Sequence, residues 1–261
     1  MPNYALITGA SSGIGRELAR VCAADGYNLV VVARNQKALE ELAAELRVAH
    51  KIEVIVYPVD LTATNSVQDL YQYLQQRKLE MEILINNAGF GDNSPMVTAD
   101  WEKLESMIAL NITALTNLSR LYVRDMKKRG SGKILNLASL AAWLPGPNMA
   151  VYYASKHYVL ALSESLAEEL RGSGVSVTTL CPGPIKTGFA ARAKAAKTPA
   201  FNRRLPSPAA VAVHGYRAMQ RGQVIAIYPL SSRVLAFATR LMPRRLLRGL
   251  VKKAQRLPVE R

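Results

Sequence analysis

Residues 4–15 are Tyr4-Ala-Leu-Ile-Thr-Gly-Ala-Ser-Ser-Gly-Ile-Gly15, a short apolar run followed by a turn that contains three glycines. The run is typical of a buried β-strand, and residues 16–24 have the composition of a helix. Gly9 allows a sharp turn after the strand, and Gly15 lets the helix approach the strand without a Cβ between them. The segment therefore predicts a strand, a glycine-rich turn and a helix.

A turn of this kind favours anions, because the first N–H groups of the helix lack partners and the helix dipole is positive there. Gly13 would let the backbone approach a pyrophosphate closely. The spacing G-x-x-x-G-x-G differs from G-x-G-x-x-G and lacks the Lys-Ser/Thr ending of a P-loop, so we exclude an ATPase of that type. For the glycines alone, an ordinary turn of small residues remains the alternative.

Outward from this turn, short apolar runs recur at residues 28–33, 52–57, 83–85, 134–138 and 175–181, with amphipathic stretches such as 36–48 and 67–76 between them. This alternation predicts an α/β fold with a Rossmann-type, doubly wound parallel sheet of about seven strands. Because no linker or repeat divides the first 185 of the 261 residues, we expect a single domain at 1–230. Residues 231–261 would form a basic, helical C-terminal extension.

Further motifs follow in order, namely Thr8-Gly-Ala-Ser-Ser-Gly-Ile-Gly15, Asn86-Asn-Ala-Gly89, Asn111, Ser139, Tyr152-Tyr-Ala-Ser-Lys156 and Pro182-Gly183. Together they resemble the classical, single-domain short-chain dehydrogenase/reductase family, over roughly residues 3–190. Six ordered motifs are a far more specific signal than one glycine turn. The resemblance implies reversible hydride transfer between a nicotinamide cofactor and a ketone or secondary alcohol.

Four residues are expected to carry this chemistry. Tyr152 would be the general acid or base for the carbonyl oxygen, and Lys156, one helical turn away, would stabilise its phenolate. Ser139 would hold the substrate oxygen. The resemblance assigns Asn111, within the helical stretch 101–129, to a kink that holds a water linked to Lys156. Tyr153 also shares a helix face with Lys156, but the family's spacing favours Tyr152 as the acid and leaves Tyr153 for packing or pocket lining.

The second predicted strand ends in Ala33-Arg34, which bears on the choice of cofactor. An acidic residue there would bind the ribose hydroxyls and repel a 2′-phosphate, whereas Arg34 can clamp that phosphate. We therefore expect NADP(H) to be preferred over NAD(H). A solvated arginine is the alternative. Asn35 stands where relatives often have a second basic residue, which would weaken the discrimination between the cofactors, and Lys37 is a candidate to supply the missing charge.

The resemblance implies further cofactor contacts. Asp60 would accept a hydrogen bond from adenine, although it could instead cap a helix that begins near Thr64. Thr187 would bind the carboxamide of the nicotinamide. The full set of expected cofactor contacts is Gly9, Ser11, Ser12, Gly13, Ile14, Gly15, Arg34, Asp60, Leu61, Asn87, Ala88, Gly89, Tyr152, Lys156, Pro182, Gly183 and Thr187.

Apolar residues in the loops beside the expected site predict an apolar substrate pocket, with residues 186–206 as the loop over it. The pocket candidates are Phe90, Leu140, Trp143 and Met149. Such a pocket would suit fatty-acyl, steroid-like or other lipid ketones, although these residues could equally cover the edge of the core.

The alternative function is an NADPH-binding scaffold or redox sensor. The intact Asn111, Ser139, Tyr152 and Lys156 argue against it.

The net charge of +15 lies in the C-terminal part of the chain. Residues 1–185 carry 17 Lys and Arg against 18 Asp and Glu, whereas residues 186–261 carry 17 against one. A predicted helix at 244–257 is apolar on one face and basic on the remainder. It suits an anionic membrane surface, or else it packs its apolar face on its own domain or on a twin subunit; both interpretations stay open. Nucleic acid is a weaker third, since aromatic residues are few in this part.

Other classes of protein are less compatible with the sequence. No signal-peptide pattern precedes the first strand and no apolar run approaches the roughly 20 residues of a spanning helix, so we expect a cytoplasmic protein, peripheral at the membrane if the tail binds there. Cys22 and Cys181 are expected to be free, buried thiols. The three histidines lack paired ligand spacing, so no metal site is predicted. The resemblance implies a homodimer or homotetramer through the helical stretches 101–129 and 152–171.

Overall fold

The computed structural model describes residues 3–202 and 205–255 of the chain. Within them, seven parallel strands form one sheet in the order β3-β2-β1-β4-β5-β6-β7. The strands are β1 (Tyr4–Thr8), β2 (Asn28–Ala33), β3 (Val54–Pro58), β4 (Met81–Asn86), β5 (Gly132–Leu137), β6 (Val175–Pro182) and β7 (Ile225–Tyr228). The predicted doubly wound parallel sheet is therefore confirmed, with the reversal of strand order between β1 and β4.

Ten α-helices cover the sheet or flank its carboxyl edge. They are α1 (Gly13–Ala24), α2 (Gln36–His50), α3 (Ser66–Gln76), α4 (Trp101–Ile108), α5 (Leu115–Arg129), α6 (Ala150–Glu169), α7 (Phe189–Arg192), α8 (Pro208–Gln220), α9 (Leu230–Leu241) and α10 (Arg244–Ala254). These ten are the α-helices of the described residues. A π-helical segment, Ala109–Ala114, joins α4 to α5, and a 3₁₀ turn, Leu140–Trp143, precedes α6.

The alternating faces of the strands bury two hydrophobic layers. Ala5 and Ile7 of β1 face the layer under α1, α2 and α8, whereas Tyr4 and Leu6 face the layer under α3 and α5. Because both faces are covered, the strands are apolar almost throughout, as parallel strands require. Each fully buried Leu or Ile contributes about 1.5–3 kcal/mol relative to an exposed one, so these two layers dominate the stability of the domain.

Several predicted elements differ from the observed ones near the C-terminus. The predicted loop at 186–206 contains a short helix, α7, and Lys194 just after it adopts a left-handed conformation with φ of 54° that a helix cannot continue through. The helix α8 was not predicted, although Ser207 caps it with its side chain and Pro208 occupies the first turn. The basic helix was expected at 244–257, and residues 256 and 257 of it lie outside the described residues. Arg203 and Arg204 of the 186–206 loop also lie outside them.

Candidate active site

The glycine turn between β1 and α1 is shaped by backbone angles and close contacts. Gly9 and Gly13 have φ of 68° and 58°, a region that residues with a side chain rarely adopt. A Cβ on Gly15 would lie 2.4 Å from the carbonyl oxygen of Gly9, whereas one on Gly13 would meet nothing closer than 3.6 Å. Gly15 thus lets α1 pack against the turn, and the surroundings of Gly13 stay open toward the space above the sheet.

The N-terminus of α1 is left uncapped by its own side chains. Ser12 occupies the N-cap position in an extended conformation but makes no capping hydrogen bond, in contrast to Asn35 at α2 and Ser207 at α8. The first N–H groups of α1 therefore remain available to an anion, which the helix dipole also favours. The local structure fits a dinucleotide pyrophosphate.

Asn87, just past β4, fastens this turn to the centre of the sheet. Its Nδ2 donates to the carbonyl oxygens of Thr8 at 2.9 Å and Gly9 at 3.2 Å, and its backbone N–H donates to the Thr8 hydroxyl at 3.0 Å. The backbone N–H of Ala88 donates to the same hydroxyl at 3.0 Å. Thr8 and Asn87 together hold the two central strand ends in register beside the space above the sheet.

Arg34 at the end of β2 projects largely into solvent. Its side chain is 76% exposed, and its Nη1 lies 3.5 Å from Oδ2 of Asp60. Asn35 caps α2 by accepting from the N–H of Ala38, which explains why an uncharged residue stands there. Lys37 is exposed on α2 and does not line the cavity described below. Arg34 is thus held only loosely and is free to reorient toward a bound group.

Asp60 does not cap a helix, because α3 begins later, at Ser66, with Asn65 at its N-cap position. Its Oδ1 instead accepts from the backbone N–H of Thr62 at 2.9 Å and from the Thr62 hydroxyl at 2.7 Å. Burial alone would raise the pKa of Asp60, but these hydrogen bonds and the Arg34 charge outweigh it and lower the pKa. Asp60 is therefore a carboxylate that its hydrogen bonds hold in place near the carboxyl ends of β2 and β3.

The residues expected to carry the chemistry come from the end of β5 and the first turns of α6. Ser139 is the N-cap of the 3₁₀ turn, where its Oγ accepts from the N–H of Ala141 at 3.1 Å. Tyr152 and Lys156 lie one turn apart on α6, with the Lys156 ammonium 5.8 Å from the Tyr152 ring centroid. Lys156 donates to the carbonyl oxygen of Leu137 at 2.8 Å. The structure brings these three side chains together at the carboxyl edge of the sheet.

Burial dominates the ionisation of these groups. It raises the pKa of Tyr152 above the ordinary value for tyrosine, while a hydrogen bond with Ser139 acts in the opposite direction. Burial lowers the pKa of Lys156 to about 8. Burial therefore favours the neutral, protonated form of Tyr152, and Lys156 does not contribute to the shift of its pKa. The stabilisation of a Tyr152 phenolate by Lys156 stays a prediction.

Asn111 lies behind the cavity, fully buried in the π-helical segment Ala109–Ala114. Its Oδ1 accepts from the N–H of Phe90 at 3.1 Å, and its Nδ2 donates to the Phe90 carbonyl oxygen at 2.9 Å. The local irregularity of the helix expected at this position is present. A Cβ on Gly89 would lie 2.9 Å from the Asn111 oxygen and 3.5 Å from the Lys156 nitrogen, so Gly89 keeps this region accessible.

One cavity of about 1030 Å³ connects the glycine turn with Tyr152. Every expected cofactor contact except Gly15 lines it, and Gly15 instead packs beneath the turn. Of the expected pocket residues, Phe90, Leu140 and Met149 line the cavity. Trp143 does not: its ring packs beside buried Cys181, under the Arg240 guanidinium 5.3 Å from the ring centroid. The wide indole fills the gap between α6 and the ends of β6 and β7, so the prediction for Trp143 was wrong.

The far wall of the cavity comes partly from the loop predicted at 186–206 and partly from α9 and α10, which the sequence did not connect to the site. Phe189 packs on Tyr152 with ring centroids 5.3 Å apart, and Phe201 stacks behind it at 6.5 Å. The wall residues in or next to α9 and α10 are Leu235, Met242, Leu247, Leu250, Val251, Ala254 and Gln255. No local signal marks them, because they reach the site only by long-range packing.

Gln255 fixes the end of α10 to the residue that follows Tyr152. Its Nε2 donates to the Tyr153 hydroxyl at 2.5 Å, across 102 residues of chain, and its side chain is buried. Burial raises the pKa of Tyr153 to about 12, and the Gln255 contact lowers it slightly in return. Tyr153 therefore lines the cavity as a neutral residue, as expected from the sequence, and helps to anchor α10 over the site.

Comparison with known proteins shows the family of the chain. The profile of the short chain dehydrogenase family matches residues 3–198. The chain belongs to this family. It is an oxidoreductase that acts on CH–OH or carbonyl groups with NAD(P), and the membership expected from the motifs is confirmed.

Individual relatives align with most of this chain. An uncharacterised oxidoreductase from Staphylococcus epidermidis is 33% identical over 183 residues, covering 70% of this chain and 78% of the relative. A very-long-chain 3-oxoacyl-CoA reductase from Pyricularia oryzae is 36% identical over 67% of this chain and 54% of its own length. The solved structure of a short-chain dehydrogenase from Sphingobium yanoikuyae in complex with NADPH is 31% identical and superposes over 100% of both chains with a TM-score of 0.82.

Three general features of the described residues bear on other classes of protein. Cys22 and Cys181 are free and buried, as expected. Among residues 3–202 and 205–255, no cluster of three His, Cys, Asp or Glu side chains could hold a metal ion. No helix in this part of the chain combines the length and the apolar character needed to cross a membrane.

Proposed function

We propose that the protein reduces an apolar ketone to an alcohol with NADPH. The observation that carries this proposal is one cavity with three different regions. It is polar at the glycine turn, it contains the reactive side chains of Ser139, Tyr152 and Lys156, and its far wall is apolar. Family membership supports the reaction class. The NADPH bound by the Sphingobium relative and the long-chain acyl substrate named for the Pyricularia relative support the cofactor and the substrate class.

The residues along the sheet edge would hold the cofactor. The uncapped start of α1 would bind the pyrophosphate, and the open space at Gly13 admits its close approach. Asp60 is a fixed acceptor for the adenine amino group, and Thr187 lines the cavity beyond Gly13 at the nicotinamide end. The bound cofactor supplies the hydride for the carbonyl carbon.

Tyr152 would donate the proton that the reduced carbonyl oxygen requires. Burial keeps its hydroxyl protonated, and Ser139 would hold the substrate oxygen within reach through a second hydrogen bond. Lys156, with a pKa of about 8, exchanges its proton readily near neutral pH and would return a proton to Tyr152. Asn111 supports this by fixing the Phe90 loop against Lys156.

Arg34 would favour NADPH over NADH. Its exposed, loosely paired guanidinium is free to bind a 2′-phosphate, and the nearby Asn35 is committed to the cap of α2. We expect Arg34→Ala to lower kcat/KM for NADPH by about tenfold or more and to leave NADH almost unchanged, the loss expected for one charge-assisted hydrogen bond. Lys37→Ala is the matched control, and equal losses with both cofactors would contradict the assignment.

The substrate class is tested by the rate of NADPH oxidation with a graded series of carbonyl compounds. We expect 3-oxoacyl thioesters, steroid ketones and bulky aryl ketones to give higher kcat/KM than small aldehydes, because they fill the apolar wall around Phe189, Phe201 and Leu247. A preference for small polar aldehydes would overturn the substrate class while leaving the reaction class intact.

We propose that the protein is cytoplasmic and forms a homodimer or homotetramer. The apolar side chains of Trp101, Ile108 and Tyr158 on α4 and α6 are 66%, 37% and 38% exposed and would be covered by the same helices of a second copy. Light scattering on Trp101→Asp, against the unchanged protein, tests this assembly. An unchanged molar mass would contradict the interface.

A further inference from the structure

Helix α9 exposes an apolar stripe on the side opposite to the one that it packs against the domain. Its buried residues are Ser232 and Ala236. At 100° per residue, Leu230, Val234, Phe237 and Leu241 fall within one narrow arc opposite to these. Their side chains are 72%, 63%, 63% and 76% exposed. Such a continuous exposed apolar row is unusual for a protein surface and marks a site of interaction.

Helix α10 follows after Met242 and Pro243 and differs in what it buries. Leu247 and Val251 are buried in the wall of the cavity, so this part of its apolar face packs on the domain. Leu246 and Leu250 remain 62% and 56% exposed at the margin of that face. We call these exposed apolar side chains of α9 and α10, together with the exposed Arg and Lys side chains of residues 230–255, the α9–α10 surface.

The charge of the α9–α10 surface is of one sign. Residues 230–255 contain seven basic residues and no acidic one. All seven are exposed, and no described acidic side chain forms a salt bridge with any of them. They are Arg233, Arg240, Arg244, Arg245, Arg248, Lys252 and Lys253. The surface therefore combines apolar side chains with an unneutralised positive field, and its partner must be both apolar and anionic.

We propose that the α9–α10 surface docks onto the headgroup and acyl boundary of an anionic membrane. Interfacial helices of this kind insert their apolar residues by about 5–10 Å while Lys and Arg bind the lipid phosphates. A second copy of the chain fits less well, because a two-fold contact would bring seven cations against seven. Nucleic acid would neutralise the charge but leave the row of Leu230, Val234, Phe237 and Leu241 exposed to water.

The position of the surface adds a consequence for the cavity. Leu235 and Leu250 line the cavity and are also 40% and 56% exposed, so the wall of the cavity and the α9–α10 surface share side chains. Docking would place this wall at the membrane boundary, where an apolar ketone is concentrated. The docking itself does not depend on the proposed reaction.

Sedimentation of the full chain with vesicles tests the docking. We expect binding to mixed phosphatidylcholine–phosphatidylglycerol vesicles, little binding to pure phosphatidylcholine vesicles, and a loss of binding as salt is raised. The combined variant Arg244→Gln, Arg245→Gln and Arg248→Gln should weaken binding about a hundredfold, because each cation near an anionic surface contributes about fivefold. Lys78→Gln with Lys127→Gln and Lys128→Gln, three exposed cations outside α9 and α10, is the charge-matched control.

The apolar part is tested by Val234→Asp and Phe237→Asp, for which Val48→Asp on α2, 84% exposed, is the matched control. We expect the first two to reduce vesicle binding at least tenfold and the control to leave it unchanged. Reduction of a small water-soluble ketone should be the same in all three, so loss of docking is distinguishable from loss of function. Equal binding to both kinds of vesicle, insensitivity to Phe237→Asp, or a dimer that Phe237→Asp dissociates without any vesicle binding would each overturn the proposal.

Discussion

The carboxyl edge of the sheet and the pair of helices α9 and α10 line the same cavity, but different forces place them there. Ser139 and Asn87 follow directly after buried strands, so the parallel topology fixes their positions to within a residue or two. Leu247 and Gln255 reach the cavity more than a hundred residues after those motifs, held only by packing and by one hydrogen bond to Tyr153. In the proposed function, the first region would carry out the chemistry and the second would limit which substrates reach it.

Removal of the Tyr152 hydroxyl tests the first region and should have the largest effect. We expect Tyr152→Phe to lower kcat by about 10²- to 10⁴-fold, the usual contribution of a positioned general acid, with NADPH binding retained. The measurement is steady-state kinetics together with cofactor titration by fluorescence.

Tyr153→Phe is the matched control, because Tyr153 shares the cavity but points its hydroxyl to Gln255. Its kcat should change by less than about tenfold, since a single neutral hydrogen bond is involved. If the two variants lost activity equally, the assignment of the acid would be wrong. Cellular function that survives Tyr152→Phe without any turnover would instead favour a scaffold or sensor.

Truncation of Leu247 tests whether the second region belongs to the folded domain. Leu247 is 2% exposed, and Leu247→Ala should lower the free energy of unfolding by about 2–5 kcal/mol, as for other buried leucines. The neighbouring Leu246, 62% exposed, provides the control, with an expected change of about 0.5 kcal/mol or less. Urea denaturation measures both. Two small, equal changes would show that α10 is a detachable extension and not a wall of the cavity.

This comparison explains which parts of the molecule could be predicted from sequence. The strands and the glycine turn follow from local apolar runs and from Gly9 and Gly13, whose positive φ no other residue adopts as readily. The proposed catalytic residues follow from the resemblance of ordered motifs to a family, with Tyr152 and Lys156 one turn apart on α6. The position of Trp143 outside the cavity and the hydrogen bond from Gln255 to Tyr153 depend on which distant segment packs beside each residue. Patterns in a single sequence do not indicate which segment that is.

An element can also be missed although its signal is present. Helix α8 begins with Ser207 as a side-chain cap and Pro208 in the first turn, both ordinary start signals. The exposed stripe of α9 is another case: the sequence shows its period, but only the structure shows that the domain contacts the opposite side. Amphipathic patterns predict that a helix has two faces and do not indicate which of them is buried.

The pH dependence of stability gives a smaller effect that is specific to the catalytic region. Burial lowers the pKa of Lys156 from 10.5 to about 8, so the folded protein binds fewer protons than the unfolded chain between these values. Stability contributed by this group is therefore present above about pH 10.5 and lost as the pH falls toward 8, with a slope of at most about 1.4 kcal/mol per pH unit. The difference in unfolding free energy between the protein and Lys156→Met should rise with pH across this window, and parallel curves would contradict the buried, shifted lysine.

The smallest expected effect lies in α10 and separates its helical propensity from its packing. Gly249 is in the interior of this helix, is exposed, and would have no atom within 4 Å of an added Cβ. Gly249→Ala should therefore raise the unfolding free energy by about 0.5–1 kcal/mol, because glycine loses more backbone entropy on entering a helix. Gly15→Ala, whose Cβ would lie 2.4 Å from the Gly9 oxygen, should destabilise the protein instead. A gain in unfolding free energy for Gly249→Ala in urea denaturation requires α10 to unfold together with the sheet. No gain would mean that the helix frays before the domain unfolds. The basic C-terminal region would then not be a stable part of the active-site wall.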